Sequence, residues 1–237
     1  MDSSGGNSRP YKLSPSDFKY LWEDCKHCYW RKVRQGIYLP SIGMPGIFGK
    51  MNNLLQETLI GRNLNELHPN LPSGTFEKKE AFLKSAPIPN SGRAYVSGRL
   101  DLLTTFEDGT HGIIDLKITD PRSENLYKFS TQLHAYKFAL ENPADDQERI
   151  VNKISTIGLL IVSPEEVELT NGKVAFHTTP QWIPIEEDMG GFFSFIDRIT
   201  EFLDQPMPEA SNTCEWCKYR ALTGNGISHK EEKNLPF

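Results

Sequence analysis

Residues Ser97 to Asp120 read SGRLDLLTTFEDGTHGIIDLKITD. Two apolar runs flank Asp108-Gly109, a dipeptide that favours a tight hairpin turn. The stretch therefore predicts two antiparallel strands. Counting outward from the turn puts Asp101 close to opposite Asp115. Asp115 and Lys117 are two residues apart, so their side chains leave the same face of one strand. Two carboxylates held among Leu and Ile repel each other and are costly to bury unless something positive neutralises them. A half-buried ion pair of Asp115 with Lys117 beside a solvated Asp101 is one solution. A divalent cation is the other. Mg²⁺ prefers one or two protein carboxylates and keeps water and phosphate oxygens for its remaining positions. In that case Lys117 orients the attacking water or stabilises developing charge, and Leu116 offers only its backbone carbonyl.

Outward from the hairpin, the pattern alternates helix and strand. LSPSDFKYLWEDCKHCYWRKV predicts a helix, with Ser14 as cap, Pro15 in the first turn and Asp17 completing a capping-box pattern. Phe18, Leu21, Trp22 and Cys25 mark its apolar face. IYLPSIGMPGIFG is a Pro/Gly-rich connection, and KMNNLLQETLIGRNL predicts a second helix. TFEKKEAFL reads as a strand. From about Ser123 to Leu140 the apolar period turns helical. ISTIGLLIVS predicts a buried central strand, KVAFHTTPQWIPI a further strand weakened by Pro180, and FFSFIDRITEFL an amphipathic helix. The expected fold class is α/β (α+β), a mixed central sheet flanked by helices. We expect a single domain over residues 11–222, a flexible leader at 1–10 and a flexible tail at 223–237.

The chain has 237 residues and a net charge of -5. That excludes a whole-surface binder of polyanions but not a local basic groove. Lys26, Arg31, Lys32 and Arg34 cluster in CKHCYWRKVR. If that run lines a groove, its cations meet phosphates and Tyr29 and Trp30 stack on bases of a single strand. If it packs, both aromatics belong to the core. His111 reads as a plain strand residue, and His134 falls on the exposed side of its helix. There is no apolar run of membrane-spanning length and no secretory signal, so a cytoplasmic protein without membrane contact is expected.

The four cysteines form two C-x-x-C pairs, Cys25/Cys28 and Cys214/Cys217. In a chain without an export signal such pairs read as metal ligands. If the two ends of the chain pack together, four thiolates can hold a tetrahedral zinc or an iron–sulfur cluster.

Three stretches taken together resemble a known family. They are Gly98-Arg99-Leu100-Asp101, then Ile114-Asp115-Leu116-Lys117, then Gln132-Leu133-His134-Ala135-Tyr136. Their order and spacing resemble the G-x-x-D, D-x-K and Q-x-x-x-Y elements of the PD-(D/E)XK nuclease superfamily. The resemblance is closest to its RecB-like branch, which includes the nuclease domains of RecB and AddB and the CRISPR-associated RecB-like exonucleases. It implies a restriction-endonuclease-like core. By similarity, Asp101 and Asp115, with the Leu116 carbonyl, would ligate Mg²⁺ or Mn²⁺ and Lys117 would assist the attacking water. Gln132 and Tyr136 would support the site and contact nucleic acid.

The implied activity is a metal-dependent deoxyribonuclease, an exonuclease or single-strand-acting enzyme of DNA repair. DNA would be its partner, together with a helicase or other DNA-processing protein. The resemblance also favours a [4Fe–4S] cluster on Cys25, Cys28, Cys214 and Cys217, with zinc as the alternative. Thr223 stands near where the family's last cysteine falls. The family's helical His ligand is also replaced, by Asn53 in FGKMNNLLQE. Glu57 is the nearest substitute carboxylate, with Glu77 and Glu80 further off. An inactive nucleic-acid-binding scaffold that keeps the fold is therefore the alternative.

Overall fold

The computed structural model describes residues 10–40, 46–89, 93–120 and 128–223. The expected leader (apart from Pro10) and the expected tail beyond Thr223 lie outside them. So do residues 41–45 of the Pro/Gly-rich connection and residues 121–127, within which the predicted third helix begins.

The hairpin forms as its turn chemistry dictates. Strands β3 (Ala94–Phe106) and β4 (His111–Ile118) run antiparallel, with Leu102 opposite Ile114 and Leu103 opposite Ile113. The same register carries Asp101 opposite Asp115. At the turn Gly109 takes φ +78°, a conformation side chains disfavour. The Asp108 carboxylate accepts hydrogen bonds from the Thr110 amide and hydroxyl at 2.9 and 2.7 Å.

Strand β2 (Gly74–Lys84) follows one edge of β3. The short β1 (Tyr11–Leu13), which sequence patterning does not announce, pairs in parallel with Ala94–Val96 on the other. Pairing to β1 ends at Val96 and pairing to β4 begins at Leu102. Residues 97–101 thus lie where β1 and β4 part. Strand β5 (Ile154–Val162) runs parallel to β4. A parallel pair needs a crossover, and it contains helix α5 (Ser130–Glu141). Strand β8 (Gln181–Ile185) closes the sheet antiparallel to β5. The order is β1-β3-β4-β5-β8, with β2 on β3.

Alternation along the strands divides the core. Ile113, Leu159 and Ile161 join Leu133, Ala135 and Phe138 of α5 on one face. Helices α1 (Pro15–Lys19), α2 (Leu21–Asp24), α3 (Lys26–Gln35) and α6 (Met189–Asp204) add to this layer. Ile114, Leu116 and Leu160 face the other way, toward Leu59, Leu64 and Phe76. Leu59 ends α4 (Gly46–Leu59).

Three expectations need correction. The first predicted helix is three short ones, broken at Tyr20 and Cys25. Ser14 makes no capping bond to the backbone, its hydroxyl lying instead 3.1 Å from that of Ser16. Cys25 is extended (φ -159°, ψ 106°) and caps α3 by accepting the Cys28 amide at its sulfur, at 3.4 Å. The strand expected over residues 173–185 is two. Strand β7 (Lys173–His177) pairs with β6 (Glu166–Thr170) in a separate hairpin, all ten of whose strand residues are exposed. Pro180, which has no amide to donate, sits in the break before β8. Finally, α5 is buried on every side from Gln132 to Leu140, so His134 is not on an exposed face. Its Nδ1–H donates to the Ser130 carbonyl at 2.7 Å, and its Nε2 accepts the Asp188 amide at 2.7 Å. A last helix, α7 (Glu215–Thr223), ends the described chain. Among the described residues no helix is long and apolar enough to cross a membrane.

Candidate active site and thiol cluster

Where β1 and β4 diverge, Asp101, Asp115 and Lys117 converge. Lys117 Nζ lies 2.7 Å from Asp115 Oδ2 and 3.9 Å from Asp101 Oδ2. Asp115 is 2% exposed, whereas Asp101 and Lys117 are partly open to solvent. Burial and the neighbouring Asp115 carboxylate push the Asp101 carboxyl up to about 7, although Lys117 and the Leu116 amide pull the other way. Burial works against the Lys117 ammonium, but the two carboxylates outweigh it and hold its pKa above the ordinary lysine value. One lysine therefore does not balance two acids, which is the electrostatic state a divalent cation relieves.

A second observation bears on the same point. Asp115 is buried almost entirely, and its Oδ2 lies 2.7 Å from the Lys117 ammonium, the same cation that Asp101 faces. A buried carboxylate that must share its cation with a second acid is an expensive group. The donor set of two carboxylate side chains, with a backbone carbonyl at Leu116 between Asp115 and Lys117, fits a hard cation such as Mg²⁺ or Mn²⁺.

Gln132 and Tyr136 are both buried near the start of α5, with the Gln132 amide 3.3 Å from the Tyr136 hydroxyl. Burial raises the Tyr136 pKa; Gln132 opposes this, while the charges of Asp115 and Asp101 reinforce it. The phenol is thus within the field of the acidic pair. Gly98 explains how the ring comes so close. A Cβ there would lie 3.0 Å from a Pro15 ring carbon and 3.4 Å from Tyr136 Cε1. The missing side chain lets α1 and α5 close onto β3 three residues before Asp101.

Other sequence candidates fall elsewhere. Asn53 and Glu57 are exposed on α4. The polar residue α4 turns inward is Gln56, 1% exposed and with neither amide atom hydrogen-bonded. Glu77 engages the Thr105 hydroxyl and lies 3.9 Å from His111, and Glu80 lies 3.8 Å from Arg99. Tyr29 is fully buried, edge-on to Trp22, and the Trp30 indole donates to the Gln205 carbonyl at 3.1 Å. The basic run is used in packing: Lys26 covers the Trp22 ring, Arg31 bonds Gln35 and Lys32 pairs with Asp17 at 2.7 Å.

The structure adds residues that the motifs do not name. Phe129, at the start of α5, is bracketed by two lysines, with Lys117 Nζ 5.1 Å and Lys19 Nζ 3.2 Å from the ring centre. Tyr20 follows Lys19 and is 55% exposed. The only signal for it in the sequence is its position off the Phe18, Leu21, Trp22 stripe.

The two C-x-x-C pairs meet, although they lie at opposite ends of the chain. All four sulfurs are within 4.8 Å of one another. Cys25–Cys217, Cys28–Cys214 and Cys28–Cys217 are separated by 3.7, 3.8 and 3.8 Å. Four sulfurs each about 2.3 Å from one tetrahedral centre would be about 3.8 Å apart, which fits a single zinc ion. An inserted cube of iron and sulfide needs wider separation than two sulfurs in near contact. Burial raises the Cys25 thiol, and pushes the Cys28 thiol well above its ordinary range. At Cys214 burial pulls the same way, but amide donors from Cys217 and Trp216 help bring the net shift down. The Arg220 guanidinium donates to Cys28 Sγ at 3.0 Å and Cys217 Sγ at 3.6 Å, a positive charge placed where thiolates collect.

Residues 45–222 match the family profile of the PD-(D/E)XK nuclease superfamily. No curated protein matches the chain. Among solved structures, one titled "Crystal structure of SSO0001" is similar with a TM-score of 0.48 and 13% identity, over 92% of this chain and 87% of that one.

Proposed function

We propose that this chain, which belongs to the PD-(D/E)XK nuclease superfamily, hydrolyses phosphodiester bonds in DNA and acts on single strands or ends. The observation that carries the reading is the meeting of Asp101, Asp115 and Lys117, where two carboxylates, one of them buried, share one lysine. Asp101, Asp115 and the Leu116 carbonyl would hold the divalent cation. Bound there, Mg²⁺ or Mn²⁺ would lower the pKa of water and stabilise charge on the phosphoryl group. Lys117 keeps its positive charge between the carboxylates and places it where a phosphate oxygen would gain charge. Tyr136, positioned by Gln132, walls the site from the α5 side. The RecB-like subclass and a helicase partner belong to the same proposal.

For the thiol cluster we infer a structural zinc rather than a [4Fe–4S] cluster, because the sulfur spacing suits a single tetrahedral ion. A second reading of the acidic site, a scaffold that has lost catalysis, is favoured by exposed Asn53 at the position of the family's helical histidine.

One assay separates the two readings. Purified protein is incubated with labelled single- and double-stranded DNA and Mg²⁺ or Mn²⁺. Cleavage is expected, and Lys117→Ala should lower its rate on the order of 10²- to 10³-fold, as loss of a charge-stabilising donor does. Folded wild-type protein that binds DNA without cutting it would establish the scaffold.

A further inference from the structure

We propose that Lys19 and Tyr20, at the junction of α1 and α2, form a nucleotide subsite beside the acidic centre, taking a phosphate on Lys19 and a base of a single strand on Tyr20. The inference rests on the nuclease reading above and names how that site would hold its substrate. Lys19 and Lys117 share one aromatic ring, Phe129, at 3.2 and 5.1 Å from its centre. Lys117 in turn touches both acids. The Lys19 ammonium therefore lies one ring away from the place where the scissile phosphate would sit. Among the described residues it has no carboxylate partner, unlike Lys32, which is held by Asp17, and Lys84, which is held by Asp146. A half-buried cation resting on an aromatic face, with no counter-ion, is suited to a phosphate that arrives with the substrate.

Tyr20 supplies the other half of a single-strand platform. Its ring is 55% exposed, although the aromatics on either side of it, Phe18 and Trp22, are buried. Tyr20 lies off their stripe, at a break between two helices (φ -102°, ψ -79°). Lys19 Nζ lies 4.6 Å from the Tyr20 ring centre and 3.2 Å from that of Phe129, the ring that Lys117 also approaches, so Tyr20 stands on the same side of the molecule as the acidic centre. A base stacks on such a ring without sequence preference, because every base has a π-face. The neighbouring aromatics Tyr29 and Trp30, by contrast, are taken up in packing. This junction is where the structure places an exposed ring beside a cation that has no carboxylate partner among the described residues.

The test is binding of fluorescent oligo(dT) to wild type, Tyr20→Ala, Tyr20→Trp, Lys19→Gln and Asp115→Asn, in Ca²⁺ to slow cleavage, with steady-state cleavage in Mg²⁺ alongside. Melting curves confirm that each variant folds. Tyr20→Ala should weaken binding roughly 5- to 150-fold, the range for losing one stacked base. Tyr20→Trp should restore it. Lys19→Gln should weaken binding and flatten the dependence of log affinity on log salt by about 0.7, one cation's share on a single strand. In cleavage, both changes should raise KM more than they lower kcat. Asp115→Asn should abolish cutting and keep binding.

If wild type cuts DNA while Tyr20→Ala and Lys19→Gln bind as wild type does, the subsite is wrong and the nuclease reading stands. Wild type that neither binds nor cuts would remove both. Tight binding lost equally in Tyr20→Ala and Tyr20→Trp would overturn stacking as the cause.

Discussion

Asp101 sits at the least balanced point of the molecule. It shares Lys117 with Asp115, lies in the field that also reaches Tyr136, and has its carboxyl raised to about 7 mainly by burial. An unfolded aspartate titrates near 3.9, at about 4. The folded chain therefore holds the Asp101 proton more tightly than the unfolded chain does. Stability should fall as pH rises through the interval between those values and level off above the upper one. Asp101→Asn cannot ionise and escapes that loss. Without added divalent cation, its melting temperature should exceed that of wild type increasingly from pH 4 to pH 7, with no further gain above. A gap that closes with rising pH would mean that Asp101 is stabilised as an anion, and the crowded-carboxylate picture would be wrong. Much at this scale was legible in sequence. Turn chemistry at Asp108-Gly109 and the period of two along a strand sufficed to bring Asp101, Asp115 and Lys117 together. The aromatics were less legible: the place of Tyr20 off the Phe18, Leu21, Trp22 stripe marked it as outward, but nothing announced the helix break there.

The same break governs the element scale. A continuous helix from Ser14 would carry its apolar stripe past both Tyr20 and Cys25. Instead the chain stops twice, once leaving a ring in solvent and once turning the Cys25 sulfur back onto the Cys28 amide. Periodicity reported an apolar face but could not report where hydrogen bonding would be interrupted. The β6–β7 hairpin shows the reverse limitation. Residues 173–185 read as one strand because local pattern does not say which sheet a strand joins. In the structure Val167 pairs with Phe176 and Leu169 with Val174, all four exposed, while the polar face carries the Glu168–His177 contact at 2.8 Å. This hairpin buries none of its strand residues and gives the core nothing. The Glu165 amide bonds the His177 carbonyl, so its two ends already meet. Replacing residues 166–177 with a short Gly-Ser linker should shift the melting temperature by no more than about 4 °C, the effect of roughly 1 kcal/mol in a domain of this size. A collapse of 10 °C or more would show that the hairpin supports the sheet after all.

Across the whole molecule, the two ends are joined twice, and the two joints differ in kind. One is ordinary packing between the α1–α3 region and α6: Phe18 against Phe195, Trp22 against Phe202, and the Tyr11 hydroxyl donating to Asp204 at 2.8 Å. Removing metal leaves it untouched. The other is the four-cysteine group, which closes a loop spanning most of the chain. Helix α7 fully buries only Cys217; Trp216 packs partly buried against the core, and Arg220 ties the helix to Cys28. Metal binding at such a site contributes directly to local folding, since the ligands do not stay assembled without the ion. The clamp should therefore fail locally and not globally. A colourless protein with one zinc per chain is expected. Chelation, or Cys217→Ser, should release the zinc and expose residues 211–223 to protease and to hydrogen exchange. The α1–α3 region should keep its protection through α6. A brown protein with iron and labile sulfide would overturn zinc. Simultaneous loss of protection at both ends would show that the thiol clamp, and not the aromatic contact with α6, holds the termini to the sheet.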